Sequence, residues 1–327
     1  MKALPAAIGV VGVAAAALAL RRYLSTRAAL AAVPTELRNP LLHLLTADST
    51  PRSLPLARLA GRIPISPGAG VTVTKRQVAG RQVLLVAPPN RGSAAVLYVH
   101  GGGMILGSPQ AEIKGSAELA RGLGALVVSP DYRLAPENPF PAALDDCMLT
   151  LLWMRDNAGE LGIDPDRIAV TGSSAGGGLT AAIAQRAHDE GIPLRAQAMA
   201  YPMLDDRTVL RTDHEGRGRF LWTPESNRWG WTAYLGRAPR MADAPEYAAP
   251  ARRDDLSGLA PAWIGVGELD LFYDESVDYA ARIRAAGVQC ELVTVPGMYH
   301  GADGLAAKVP AMQAFRSSLM DHLRSCL

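Results

Sequence analysis

A serine flanked by glycines stands out in the stretch VTGSSAGGG, where residues 172–176 follow the pattern Gly-x-Ser-x-Gly. An apolar, β-branched run precedes this pattern and a run with helical spacing follows it, which predicts a sharp turn from strand to helix. In such a turn, glycines avoid collisions and the middle residue, Ser174, is pushed out above the sheet. A serine hydroxyl becomes a good nucleophile only when a base removes its proton. The pattern therefore predicts a nucleophile elbow at Ser174 and requires a base and an acid elsewhere.

The loops after two later strands contain candidates for the base and for the acid. His300 lies in the loop after the last predicted strand. Active and ligand-binding sites form at this edge of a parallel sheet, where the strands have their carboxyl ends. The stretch IGVGELDLFYDES, one strand earlier, offers three carboxylates. We expect Asp270, at the start of the loop, to hold the imidazole in the correct tautomer. Glu268 is the alternative nearer the strand end, and Asp274 is placed to cap the following helix.

Consecutive glycines follow another apolar strand in HGGGMILGS, residues 100–108. Glycines cost backbone entropy, but they let backbone N–H groups approach a ligand closely. Such groups stabilise the oxyanion that forms when a carbonyl is attacked. We therefore predict an oxyanion hole built from the N–H groups of Gly102, Gly103 and Ala175. His100 is expected to hydrogen-bond within this loop and not to act as a second base.

The elements that must position these residues alternate along the chain. Strands are predicted at AAVLYV, ALVVSPDY, RIAVTGS, RAQAMAYP, PAWIGVGE and QCELVTVP, with helical segments between them. VTVTKRQVAGRQVLLVAP predicts a hairpin around Ala79 and Gly80. This alternation implies an α/β fold with a mostly parallel central sheet flanked by helices. Residues 28–69 and 204–246 break the alternation, and we predict that they form a mainly helical cap.

Bulk composition agrees with a globular protein. The chain is 49% hydrophobic and 20% charged, which is typical of a protein with a large core. The 33 basic and 31 acidic residues give a net charge of +2, so nucleic acid is not an expected partner. Three cysteines are too few and too scattered for a disulfide framework or a zinc site.

The N-terminus contains an uncharged apolar run over residues 3–20, followed by RRYLSTR. About 18 apolar residues can span a bilayer, and the excess of positive charge after the run favours an anchor with the catalytic part in the cytoplasm. One alternative is a cleaved signal peptide, which would export the protein; another is an Ala-rich helix packed on the protein. The predicted organisation is an apolar segment (1–27), the first part of the cap (28–69) and a catalytic domain (70–327).

Five motifs occur together in an order typical of one family: HGGG, DYRLAPENPFPAALDD, GSSAGG, YAAPARRDDLSGLAPAWIGVGELD and the His of GMYHG. Over residues 70–327 the chain thereby resembles the hormone-sensitive-lipase-like esterases and lipases of the α/β-hydrolase superfamily. The resemblance implies the α/β-hydrolase fold, hydrolysis of carboxylic esters, and no metal or cofactor. It assigns the same triad and the same oxyanion donors as the residues above.

The chain also departs from the family pattern. Ser173 stands where the family commonly has Asp, which removes a charge beside the nucleophile but no triad member. Leu271 stands where a proline is common, and HGADG lacks an aromatic residue common soon after the histidine.

The predicted function is a serine carboxylesterase or lipase that acts on short- to medium-chain esters through an acyl-enzyme. The alternatives are an amide or N-acyl hydrolase with the same triad and a non-enzymatic small-molecule receptor on the same fold. We expect Met104, Trp229 and Tyr234 to contact the substrate. Packing within the cap is an equal alternative for the aromatic residues of the insertion, which include Trp222 and Trp231. The expected partner is a small ester, with membrane contact only through residues 3–20.

Overall fold

The structure is a computed structural model that describes residues 26–43, 45–46, 48–61, 63 and 65–327. The apolar run over residues 3–20 lies outside the described residues, so the anchor, signal and packed-helix interpretations stay predictions. Within the described ranges, no helix is both long enough and apolar enough to cross a membrane.

Among the described residues, eight strands form one sheet. They are β1 (Thr72–Val78), β2 (Arg81–Ala87), β3 (Ala95–Val99), β4 (Leu126–Pro130), β5 (Ile168–Ser173), β6 (Gln197–Ala200), β7 (Ala262–Gly267) and β8 (Cys290–Val295). Their order is β1-β2-β4-β3-β5-β6-β7-β8. The β1–β2 and β2–β4 pairs are antiparallel and the other five pairs are parallel. The predicted hairpin and the predicted mostly parallel sheet are therefore both confirmed.

Helices cover the sheet and fill the connections. The described α-helices are α1 (Leu54–Ala60), α2 (Ile113–Leu123), α3 (Ala142–Asp156), α4 (Ala158–Leu161), α5 (Ala175–Asp189), α6 (Pro224–Leu235), α7 (Tyr273–Ala285), α8 (Ala302–Leu305) and α9 (Pro310–Cys326). Residues 26–32 are also helical. Short 3₁₀ helices occupy Thr35–Leu37, Pro40–His43, Asp206–Leu210 and Pro250–Arg252.

The stretch LRNPLLHLLTA belongs to the segment expected to be mainly helical, and its described residues include the 3₁₀ turn Pro40–His43. Pro40 disfavours helical backbone at the residue before it, which explains why the turn does not include Asn39. The Asn39 side-chain Oδ1 instead accepts a hydrogen bond from the Leu41 N–H at 3.0 Å. This turn still buries Leu42, so the segment packs on the protein without a long helix.

The sheet determines where the predicted site residues lie. Every residue of β4, β6 and β7 is buried, as expected for strands covered by helices on both faces. Since β3, β5, β7 and β8 run parallel, their carboxyl ends meet at one edge. The glycine loop, the elbow, the acidic turn and the histidine loop follow these four strands in turn, so all four reach that edge.

The two segments predicted to form a cap touch each other. The Thr223 hydroxyl donates a hydrogen bond to Asp48 Oδ1 at 2.6 Å, and the Ser49 N–H donates to Ser226 Oγ at 2.8 Å. Thr223 also caps α6 by accepting a hydrogen bond from the Ser226 N–H. The N-terminal segment is thus held against the first turn of the helix in the insertion.

Candidate active site

The turn between β5 and α5 has the strained backbone that the glycine pattern predicts. Ser174 has φ 55° and ψ −121°, a conformation that L-residues adopt rarely. A Cβ on Gly172 would lie 2.5 Å from the carbonyl oxygen of Gly176, and one on Gly176 would lie 2.1 Å from that of Val99. Both flanking positions therefore require glycine, and the turn presents the Ser174 side chain at the sheet edge.

Three side chains from separate loops meet at this turn. His300 Nε2 lies 3.0 Å from Ser174 Oγ, and His300 Nδ1 lies 2.8 Å from Asp270 Oδ2. The other carboxylate oxygen, Asp270 Oδ1, accepts a hydrogen bond from the Phe272 N–H at 2.9 Å. Ser174 and His300 are 6% and 7% exposed, and Asp270 is fully buried. The arrangement is a hydroxyl, an imidazole and a carboxylate connected in series.

The two alternative carboxylates lie elsewhere. Asp274 is on the first turn of α7, where it pairs with Arg211 at 2.6 Å and with Arg217 at 2.9 Å. The expectation that Asp274 caps this helix is wrong, because the N-cap is Phe272 and the Asp274 carboxylate is held by the two guanidinium groups instead. Glu268 has an exposed side chain. Of the three acids, Asp270 is the one in contact with the imidazole.

Aromatic rings hold the imidazole from two sides, a feature that the sequence analysis missed. The rings of Tyr201 and Phe272 pack edge-on against His300, with centroid distances of 4.8 Å and 5.4 Å. The Tyr201 hydroxyl donates to Asp303 Oδ1 at 2.9 Å. Burial raises the pKa of Asp303, and the hydrogen bond from Tyr201 opposes that rise. One feature of the sequence could have identified Tyr201. It directly follows β6, at the edge of the sheet where the triad lies.

The glycine loop leaves backbone donors unused. Gly102 and Gly103 have φ values of 120° and 62°, and a Cβ on Gly102 would lie 2.3 Å from the Leu106 carbonyl oxygen. Ala175 is the first residue of α5. In the part of the chain that the structure describes, the N–H groups of these two glycines and of Ala175 donate no hydrogen bond. They are therefore free to bind an anionic oxygen.

His100 supports this loop as expected. Its Nδ1–H donates to the Gly101 carbonyl oxygen at 2.8 Å, and its ring stacks on Tyr132 at 4.0 Å. The Tyr132 hydroxyl donates to the His100 carbonyl oxygen at 2.9 Å. Burial lowers the pKa of His100 to about 4, so the ring is neutral at pH 7. A neutral ring packed inside the loop is suited to structure and not to proton transfer.

Helix α1 reaches the same loop through one arginine. Arg58 Nε donates to the Ile105 carbonyl oxygen at 2.9 Å, and Arg58 Nη2 donates to that of Ala135 at 2.7 Å. The guanidinium is also paired with Glu137 at 2.8 Å. These contacts tie the N-terminal segment to the back of the glycine loop.

The three residues predicted to contact the substrate lie in or against one hydrophobic cluster. Met104 is buried within the loop, with φ 64°. Tyr234 is buried against the rings of Phe140 and Trp231, as cap packing would require. Trp229 is partly buried. No hydrogen bond or ring contact in the described ranges links these three predicted residues to the triad, and their role in binding stays a prediction.

A different aromatic residue of the insertion touches the loop. The indole of Trp222 lies directly against Gly103, because a Cβ there would be 2.0 Å from Trp222 Cη2. Its Nε1–H donates to Asn227 Oδ1 at 3.2 Å, which fixes the ring relative to α6. The insertion therefore supplies one wall beside the predicted oxyanion donors. The described side chains include no group of three or more His, Cys, Asp or Glu arranged to hold a metal ion.

Comparison with known proteins agrees with this geometry. A family model described as the alpha/beta hydrolase fold matches residues 96–303, which include all the triad positions. The chain belongs to the hormone-sensitive-lipase-like family of α/β-hydrolases. Among members of that family, the carboxylesterase NlhH of Mycobacterium tuberculosis is 41% identical over 223 residues, or 66% of this chain and 68% of that protein.

Other relatives extend the match. The ethyl acetate hydrolase of Pseudomonas putida is 32% identical over 269 residues, covering 79% of this chain and 84% of that α/β-hydrolase. Among solved α/β-hydrolase structures, a bacterial heroin esterase superposes with a TM-score of 0.81 at 34% identity. That superposition covers 90% of this chain and 98% of the esterase.

Proposed function

We propose that this α/β-hydrolase is a serine carboxylesterase that cleaves short- to medium-chain carboxylic esters. The supporting observation is the series of contacts from Ser174 Oγ through His300 to Asp270, at 3.0 Å and 2.8 Å. Hydroxyl, imidazole and carboxylate in this order form a nucleophile, its base and the group that orients the base. The esterase relatives support ester cleavage as the reaction.

The reaction has two halves. Ser174 Oγ attacks the ester carbonyl carbon while His300 Nε2 takes the hydroxyl proton, and the N–H groups of Gly102, Gly103 and Ala175 hold the oxyanion. Collapse breaks the bond to the alcohol, which leaves with the proton from His300, and an acyl-serine remains. Water then attacks the acyl carbon and passes a proton to His300 Nε2. Collapse breaks the bond between the acyl carbon and Ser174 Oγ, which takes that proton back from His300, and the carboxylic acid leaves. Asp270 keeps Nδ1 protonated and stabilises the imidazolium in both halves.

Hydrolysis of a graded series of p-nitrophenyl esters tests this function directly. We expect the native protein to cleave the acetate and butyrate faster than the long-chain esters, and a fluorophosphonate probe to label Ser174. Ser174→Ala and His300→Gln should abolish turnover, since each removes a partner in one proton transfer. Retained turnover in Ser174→Ala would refute the proposal. Faster cleavage of matched anilides than of esters would favour the amide-hydrolase alternative, and no labelling would favour the receptor.

We propose further that residues 28–69 and 204–246 act together as a cap over the site. The contacts of Thr223 with Asp48 and of Ser49 with Ser226 support this, because they join the two segments. The position of Trp222 beside Gly103 supports a role of the insertion in limiting the acyl pocket. In Trp222→Ala, the preferred ester should shift to a longer acyl chain; an unchanged preference would assign the ring to packing alone.

For the N-terminus we propose a membrane anchor over residues 3–20 that leaves the catalytic part in the cytoplasm. Its support is the uncharged apolar run itself and the basic residues Arg21, Arg22 and Arg27 after it. Cell fractionation tests the proposal, with the full-length chain expected in the membrane pellet and released by detergent but not by salt. A shortened mature chain would indicate the cleaved signal peptide instead.

A further inference from the structure

A glutamate outside the triad is connected to the predicted oxyanion loop. Glu112 directly precedes α2, and its Oε1 accepts a hydrogen bond from the Gly101 N–H at 2.8 Å. Its Oε2 accepts one from the Tyr98 hydroxyl at 2.7 Å. Both carboxylate oxygens are therefore occupied, one by the loop and one by a side chain of β3. The reaction described above gives this carboxylate no part.

The position of Gly101 explains why this contact matters. A peptide unit is planar, so its carbonyl oxygen and the following N–H turn together. The unit between His100 and Gly101 is held at both ends, by Tyr132 on the oxygen and by Glu112 on the N–H. The next unit carries the Gly102 N–H, and its oxygen is held by the His100 ring. Gly101 is the hinge between these two units, and as a glycine it has little intrinsic preference in φ.

The same glycine touches the nucleophile turn. A Cβ on Gly101 would lie 3.0 Å from the Ser173 carbonyl oxygen, 3.1 Å from Ser173 Oγ and 3.2 Å from Glu112 Oε1. The loop, the elbow and the Glu112 carboxylate therefore converge on one small space. Ser173 is neutral, so the elbow brings no second carboxylate beside Glu112 that would repel it.

On these contacts we propose that Glu112 is a positioning residue that fixes the hinge at Gly101 and so aims the Gly102 N–H at the oxyanion. This rests on the proposed esterase function and names a residue that controls its transition-state binding. Glu112 does not touch the substrate; it acts by accepting the Gly101 N–H and by being anchored through Tyr98. Without this acceptor, rotation about Gly101 is opposed only by the neighbouring loop contacts, and the Gly102 N–H samples directions away from the oxyanion.

Four variants separate positioning from charge and from general packing. Glu112→Ala removes the acceptor, Glu112→Asp keeps the charge but shortens the reach, and Glu112→Gln keeps the reach and loses the charge. The matched control is Glu118→Ala, which removes a carboxylate on α2 that pairs with Arg316 at 3.5 Å. If Glu112→Ala fails to fold, the comparison between the Asp and Gln variants still tests the proposal.

We expect Glu112→Ala and Glu112→Asp to lower kcat about 10–100-fold with KM within about threefold, because losing one oxyanion donor altogether costs about 10²–10³-fold. Glu112→Gln and the Glu118 control should stay within about threefold of the native rate. Affinity for a trifluoromethyl ketone, which forms an oxyanion on attack by Ser174, should fall in parallel with kcat. Affinity for the matching alcohol, which has no carbonyl group and therefore forms no oxyanion, should not change.

Three outcomes would overturn the proposal: a native kcat in Glu112→Ala, a rise in KM alone, or better activity in the Asp variant than in the Gln variant. The last would mean that charge matters and reach does not. Failure of the proposed function has a different signature, because the native protein would then neither cleave esters nor react with the fluorophosphonate probe. If the native protein cleaves esters and Glu112→Ala has the same kcat, only the positioning role is disproved.

Discussion

Replacing Asp270 with asparagine removes one hydrogen-bond acceptor and leaves the shape of the site intact. Asp270 uses both oxygens, Oδ1 for the Phe272 N–H and Oδ2 for His300 Nδ1. Asparagine has one oxygen. If that oxygen stays with Phe272, the amide NH₂ faces His300 Nδ1 and forces the ring proton onto Nε2, so the ring can no longer accept the Ser174 proton. If the amide flips, the NH₂ meets the Phe272 N–H and a buried donor loses its partner, which costs about 1–3 kcal/mol.

The expected loss follows from the wrong tautomer. Holding the imidazole with its acceptor nitrogen away from the serine lowers kcat by about 10⁴-fold, or about 5 kcal/mol of transition-state stabilisation. KM should change little, because Asp270 lies behind His300 and is fully buried. Steady-state hydrolysis of p-nitrophenyl butyrate at pH 7.5 measures both constants. Circular dichroism of the same sample shows whether the fold is retained.

A matched control lies four residues away. Asp274→Asn removes a carboxylate that is 41% exposed and paired with Arg211 and Arg217. Surface ion pairs contribute about 0–1 kcal/mol, so this variant should keep its kcat within about twofold and lose little stability. A decrease of less than tenfold in Asp270→Asn, or an equal decrease in Asp274→Asn, would refute the assignment. Glu268→Asn would then be the next variant to measure.

Two further predictions concern the glycine loop. Gly103→Ala should lower kcat about 100-fold or more, because φ is 62° and the new Cβ would lie 2.0 Å from Trp222 Cη2. The control is Gly159→Ala, which should leave kcat unchanged because the space around its Cβ is open. The pKa of His100 is about 4 in the folded protein and near 6.5 when unfolded, so protonation favours the unfolded chain and stability falls as pH drops from 6.5 towards 4. Urea unfolding should show that the native protein loses about 2 kcal/mol more than His100→Gln between pH 7 and pH 5, and equal losses would contradict the buried neutral ring.

Local sequence rules were enough for the residues whose positions depend on one turn or one strand end. A Cβ on Gly172 or Gly176 would lie within 2.6 Å of backbone atoms, so the turn needs glycine at both positions. The elbow could therefore be predicted from its glycine pattern alone. Asp270 and His300 follow parallel strands, and parallel strands bring their following loops to one edge. The mostly parallel sheet made this part of the arrangement predictable before any distance was known.

The remaining features depend on contacts between distant segments. In the sequence Glu112 looks like an ordinary residue at the start of a helix. Its contact with Gly101 depends on how α2 packs against β2 and β4. Tyr201 reads as the end of a strand, although its ring packs on His300.

The contact between Arg58 and the glycine loop affects how this enzyme can be shortened. The family match begins at residue 96, so sequence similarity alone would place the N-terminal boundary well after α1. Removal of α1 would leave the carbonyl oxygens of Ile105 and Ala135 without their guanidinium donor. A chain trimmed to the conserved part would retain every reacting group and lose one support of the loop that stabilises the reaction intermediate. The segment matched by the family model therefore omits a contact that supports the loop of the predicted oxyanion hole.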